Sequence, residues 1–304
     1  MQVNLKKITT ESRNLNTMNI DTLSTIEILK KLNEEDKNVP LCIEKAIPQI
    51  SFLVEEVVEV FKKKGRLIYV GAGTSGRIGV LDASECPPTF GVDENMVVGV
   101  IAGGEKALTT AIEGAEDSKE LAMLDLMRIN LTKDDIVIGI AASGRTPYVL
   151  GAIHYAKEIG AITGCITTSS GSILADSVDF PIEAITGPEP ITGSTRMKSG
   201  TAQKLICNMI STTAMIRMGK VYENLMVDLK ATNQKLISRM LSIIKEVTGY
   251  EENIAEEKLK KYQTVKGVIL SYLTNIEDEE KIQRLLNDNN GNIHQAIKQW
   301  KGEK

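Results

Sequence analysis

The sequence predicts a three-layer α/β fold: a mainly parallel five-stranded sheet covered by helices on both faces, followed by a C-terminal helical module. Two observations carry this. In the middle of the chain, short apolar runs without polar alternation, such as residues 67–70 and 136–140, are separated by segments of helical periodicity. Strands buried on both faces read this way. From Leu229 onward there is no strand-like run, and apolar residues recur only at helical spacing.

The first residues read as an irregular arm. Helical stretches follow at about 21–32 and 41–64. In the second, Ile47, Ile50, Leu53, Val57, Val60 and Phe61 keep close to a 3.6-residue period, marking one buried face. The expected strands are 67–70, 97–102, 136–140, 162–167 and 180–184, with helices near 75–82, 107–127, 147–159 and 172–175 between them. Each crossover should be right-handed. A long helix spans 195–217, and 220–228 is less regular. The tail places helical stretches at 236–247, 254–262, 265–273, 282–286 and 293–300.

At 304 residues the chain has room for one large domain and a smaller one. A net charge of -4 offers no broad attraction to nucleic acid or to an anionic membrane. The N-terminus has no apolar stretch suited to a signal peptide, and no run reaches the roughly 18 apolar residues that cross a bilayer. Cys42, Cys86, Cys165 and Cys207 are widely spaced without a paired pattern, which points to a reducing compartment. A cytoplasmic protein is expected.

The chemistry concentrates in loops after strands. Gly71-Ala72-Gly73-Thr74-Ser75-Gly76-Arg77 follows the first, where glycines allow close approach and the next helix start offers free N–H groups to a phosphate. Its glycines also fit a dinucleotide pattern, but no acidic residue follows at the right distance. Instead the loop recurs: Ala141-Ala142-Ser143-Gly144-Arg145-Thr146 follows the third strand with the same Ser-Gly-Arg. Thr167-Thr168-Ser169-Ser170-Gly171-Ser172 and Thr192-Gly193-Ser194-Thr195-Arg196 are similarly furnished. Singly, each is an ordinary turn or helix cap. Four together suit a small phosphorylated ligand.

His154 and His294 lie in helical stretches away from any cysteine or carboxylate cluster, so no metal site is expected. Carboxylates are better placed. Glu85 precedes Pro87-Pro88, which should turn the chain out of helix and form a rigid corner. In Glu113-Gly114-Ala115-Glu116-Asp117, Glu113 and Glu116 would share one helical face, and spacing does not choose between them.

With these motifs the chain resembles the bacterial N-acetylmuramic acid 6-phosphate etherases, of the sugar-isomerase (SIS) phosphosugar-binding fold. The resemblance runs from the arm through about Asn233 and rests on residues 71–77, 82–89, 113–118, 141–147 and 192–200. It implies an N-terminal arm with helices at 1–54, an SIS domain at 55–225 and a helical domain at 226–304. It also implies Glu85 as the acid that protonates departing lactate, Glu116 as the second catalytic residue, a phosphorylated amino sugar as substrate, no cofactor, and a homodimer whose subunits share the site. Gly73, Thr74, Ser75, Ser143, Gly144, Arg145, Thr146, Thr168, Ser169, Ser170, Ser194 and Thr195 are the expected substrate and phosphate contacts. An aldose–ketose isomerase or a non-catalytic sugar-phosphate-binding regulator would draw on similar loops.

Overall fold

A computed structural model describes residues 9–229 and 234–302. The start of the expected arm and the end of the family resemblance at Asn233 lie outside the described residues. Two compact units are present: residues up to 84 with 94–211, and residues 85–93 with 212 onward.

In the first unit, α1 (Thr25–Asp36), α2 (Asn38–Glu44) and α3 (Ile47–Lys62) precede β1 (Leu67–Gly71). The single helix expected over 41–64 is two, parted at Lys45-Ala46, with Pro48 in the first turn of α3 where its missing N–H is harmless. Next come α4 (Gly73–Phe90), β2 (Val97–Ile101), α5 (Lys119–Arg128), β3 (Ile136–Ile140), α6 (Pro147–Ile159), β4 (Ile162–Thr167), β5 (Phe180–Glu183) and α7 (Lys198–Arg217), the last residues of α4 and of α7 belonging to the second unit. The five strands are parallel in the order β2-β1-β3-β4-β5.

Ile68 and Val70 share a core with Val137 and Cys165 of the sheet and with Ala122, Leu126, Val149 and Ile153 of α5 and α6. On the opposite face the Tyr69 hydroxyl donates to the Cys207 carbonyl of α7 at 3.3 Å, and Leu53 of α3 meets Gly164. The sheet therefore lies between two helical layers, as expected.

Three further expectations fail. Pro87 and Pro88 do not turn the chain out of helix; α4 runs through them to Phe90. They fall in its last turn, where each forgoes the N–H bond back to the preceding turn, and buried Ala83, Cys86 and Phe90 hold that stretch down. The helix expected over 107–127 is broken into 3-10 turns at Glu105–Leu108 and Ala115–Asp117 before α5. Gly103, Gly104 and Gly114 all take positive φ, which stops helix propagation. Glu113 and Glu116 thus share no helix. A third helix, expected near 172–175, is only a 3-10 turn at Ala175–Ser177.

The second unit contains a two-stranded antiparallel hairpin, β6 (Val221–Tyr222) and β7 (Leu225–Met226), where the sequence showed only irregularity. After it come α8 (Gln234–Thr248), α9 (Glu252–Tyr262), α10 (Val265–Thr274), α11 (Glu279–Asp288) and α12 (Ile293–Lys301). They bury a core of their own that includes Ile244, Ile269, Leu270 and Ile282. Asp228 bridges Lys220 and Lys266, each at 2.7 Å. Among the described residues, no helix is long and apolar enough to cross a membrane.

Candidate active site

β1 stands level with its neighbours: Gly71 pairs with Ile101 and with Ile140. The loops leaving β1 and β3 therefore depart from one edge of the sheet. They flank the point where strand order reverses, where open α/β sheets collect ligands. A cavity of about 450 Å³ opens there.

The strand-to-helix turn after β1 is set by glycine. A Cβ on Gly76 would lie 2.6 Å from the Gly71 carbonyl oxygen, so only glycine lets α4 start this close to the strand. Gly73, Thr74 and Ser75 line the cavity from the first turn of α4, whose free N–H groups favour an anion. Ser143, Arg145 and Thr146 line it from the β3 loop, with Pro147 opening α6. Between them Gly144 holds φ +63°, and a Cβ there would collide with the Ser172 side chain. Thr195 and Gly193 complete that wall.

Other expected contacts stand outside the lining. Gly144 and Ser194 shape their turns, and Ser170 is exposed. Thr168 is buried, donating to the Ala142 carbonyl at 3.1 Å and bonded to the Ser199 hydroxyl at 2.9 Å. Ser169 is also buried.

Of the carboxylates, Glu116 lines the cavity beside Asp117. Glu113 faces a smaller neighbouring cavity that Glu116 also borders. Glu85 is exposed on α4 and is not among the lining residues. Thr10 and Glu11 also line the cavity. The sequence did not single them out, because no strand precedes them and the local pattern reads as irregular.

Other chemistry is poorly supplied. No histidine lines the cavity; His154 is exposed on α6, and His294 stacks on Tyr222 at 5.0 Å. Burial pushes the Cys165 thiol up to about 12. Burial, with the nearby Asp82, pushes Cys207 well above its ordinary range. Neither supplies a thiolate near neutral pH. Among the described residues, no group of three or more His, Cys, Asp or Glu is placed to hold a metal ion.

The family model "Glucokinase regulatory protein N-terminal SIS domain" matches residues 49–157, and "SIS domain" matches 115–212. An N-acetylmuramic acid 6-phosphate etherase from Caldanaerobacter subterraneus subsp. tengcongensis is 56% identical over 97% of this chain and 96% of its own. The chain belongs to the N-acetylmuramic acid 6-phosphate etherase family. An etherase from Clostridium beijerinckii is 52% identical over 98% of both chains. In fold, the etherase chain is similar to a solved Bacteroides fragilis protein assigned as a phosphosugar isomerase involved in capsule formation. That likeness has TM-score 0.50 and 21% identity, covering 66% of this chain and 95% of the other.

Proposed function

We propose that this chain cleaves the D-lactyl ether of N-acetylmuramic acid 6-phosphate, giving N-acetylglucosamine 6-phosphate and D-lactate in the cytoplasm. The observation that carries the reading, beside family membership, is that Glu116 shares one cavity with the hydroxyl- and amide-rich loops after β1 and β3.

In the open-chain sugar, C2–H is made acidic by the C1 aldehyde. Glu116 takes that proton, and the electron pair forms the C2–C3 double bond as the C3–O bond breaks. Glu85 gives a proton to the lactyl oxygen. Water then adds at C3 and a proton returns to C2, so the net reaction consumes one water. The 6-phosphate, held by the α4 N-terminus with Ser75, Ser143 and Thr146, supplies orientation away from the bond that breaks.

Glu85 is exposed on α4 and absent from the cavity's lining. A homodimer in which Glu85 serves the cavity of a second copy brings the acid to the site. Incubation with N-acetylmuramic acid 6-phosphate, with detection of D-lactate and the phosphorylated amino sugar, tests the activity. Ketose formation without lactate would replace it with an isomerase, and tight binding without turnover with a regulator.

A further inference from the structure

The N-terminal arm enters the cavity and is fastened there. The Thr10 carbonyl accepts from the Gly193 N–H at 3.2 Å, and the Thr17 hydroxyl donates to the Pro190 carbonyl at 2.8 Å. Asn14 donates to the Pro188 carbonyl and to Glu35 Oε2, the latter at 2.7 Å. Asn16 donates to Glu35 Oε1 at 2.8 Å. Glu35 in turn is ion-paired with buried Lys198, at 2.7 Å. Glu189 receives the backbone N–H groups of Lys198 and Ser199, both at 2.9 Å, and caps the start of α7.

So many buried polar ties fix the position of what the arm carries. Two side chains that it brings to the lining make no such tie among the described residues. Thr10 is fully buried and lines the cavity, yet its hydroxyl has no hydrogen-bond partner among the described residues. A buried hydroxyl without a partner is costly. Glu11 is half-buried in the same lining and has no hydrogen bond or ion pair among the described residues. Its carboxylate stands where a side chain on Gly193 would press, a Cβ there lying 3.0 Å from Glu11 Oε2.

The charges lining the cavity are Glu11, Glu116 and Asp117 against Arg145. A phosphate or a lactyl carboxylate gains nothing beside Glu11. An ionised carboxylate only accepts hydrogen bonds, so what it faces in a sugar is an uncharged donor.

We propose that Thr10 and Glu11 are substrate-contacting residues: Glu11 accepts hydrogen bonds from uncharged N–H or O–H donors of the bound sugar, and Thr10 donates to an oxygen beside them. This rests on the phosphosugar reading above. It makes the arm the part of the site that distinguishes a sugar phosphate from a bare phosphate.

The test uses full-length protein with Glu11→Ala, Glu11→Gln and Thr10→Val. Each is checked for unchanged thermal unfolding, then assayed for lactate release and for inhibition by inorganic phosphate, N-acetylglucosamine 6-phosphate and glucose 6-phosphate. Loss of a charge-assisted hydrogen bond should raise KM and the sugar-phosphate inhibition constants in Glu11→Ala by about 10- to 100-fold. Inorganic phosphate should bind as before or more tightly, since a negative charge has gone. A merely structural arm would weaken both classes alike, and that result overturns the proposal. So do unchanged constants for the sugar phosphates, or a fall in kcat alone. If the donor is the acetamido N–H, the preference for N-acetylglucosamine 6-phosphate over glucose 6-phosphate shrinks in Glu11→Ala. If hydroxyls are the donors, both weaken by the same factor. A wild-type enzyme that releases no lactate but still binds sugar phosphates through Glu11 would count against the etherase assignment and leave this one standing.

Discussion

Ser75 Oγ is hydrogen-bonded to Gln203 Oε1 at 2.9 Å, tying the first turn of α4 to the second turn of α7. Gln203 is fully buried, and its Nε2 has no partner among the described residues. Turning the amide by 180° puts an N–H on Ser75 Oγ and frees the serine proton for a phosphate oxygen. In the proposed phosphate site, Gln203 would thereby set whether Ser75 donates to the ligand.

Gln203→Glu replaces this adaptable amide with a buried acceptor that claims the serine proton and adds a like charge near the phosphate. KM should rise about 10-fold or more, with kcat less affected, and Gln203→Leu should act in the same direction more mildly. Steady-state lactate release at several substrate concentrations measures both. Normal KM values in folded variants would detach Ser75 from phosphate binding.

Removing the 6-phosphate should cut kcat/KM by about 100-fold or more, because a charge-assisted grip remote from the reacting carbons is lost. Unphosphorylated N-acetylmuramic acid, run beside the phosphorylated substrate, provides the comparison. Equal values would sink the phosphate assignment of the α4 and α6 turns.

The pair Glu35–Lys198 links stability to pH. Burial pushes the Glu35 carboxyl up, but the Lys198 ammonium and the Asn16 and Asn14 amides outweigh it and hold the carboxyl below its ordinary value of 4.5. The unfolded chain then takes up the proton more readily, so this stabilisation is complete above 4.5 and fades as pH falls through the depressed value. Lys198→Met leaves the buried carboxylate without its cation and should cost about 3–5 kcal/mol near neutrality. With burial opposed only by the Asn14 and Asn16 amides, the Glu35 value rises, and once it exceeds 4.5 Glu35 opposes folding as pH rises instead of favouring it. Denaturant unfolding between acid and neutral pH distinguishes the two slopes; parallel curves for wild type and variant would refute the coupling.

What the sequence revealed follows from how each element is buried. β1 and β3 were legible because burial on both faces writes them as unbroken apolar runs, and β3 and β4 end where expected; β5 is only partly buried. The stretch from Gly103 to Asp117 was not, since its apolar residues mimic a helical period while the positive φ of Gly103, Gly104 and Gly114 rules the helix out. For that reason the sequence left Glu113 and Glu116 equivalent, whereas the folded chain brings only Glu116 to the larger cavity. Ser143 and Arg145 announced themselves by following a strand. Thr10 and Glu11 follow none, and reach the cavity only through the long-range ties of Asn14 and Thr17.

The proposed dimer makes a quantitative claim. If Glu85 of one copy serves the cavity of the other, Glu85→Gln and Glu116→Gln chains mixed and allowed to exchange should recover activity. In a two-fold dimer each mixed pair carries one site with both residues intact, so an equal mixture should reach about a quarter of wild-type activity. No recovery despite demonstrated exchange would place both carboxylates in one chain's own site.

The two carboxylates face opposite demands: one must hold a proton when lactate leaves, and the other must lack one when C2 is deprotonated. Glu85→Gln should nearly abolish ether cleavage while leaving the C2 base intact. Substrate recovered from D₂O should then still gain deuterium at C2, because the carbanion re-protonates when the leaving group cannot depart. Glu116→Gln should suppress that exchange together with lactate release, a loss of about 10² to 10⁴ in rate for a general base. Mass spectrometry of recovered substrate alongside a lactate assay reads both steps in one incubation. Lactate released at the normal rate by Glu85→Gln would take the acid role from Glu85. Normal exchange in Glu116→Gln would move the base to another carboxylate of the same cavity, Asp117 being adjacent in its lining.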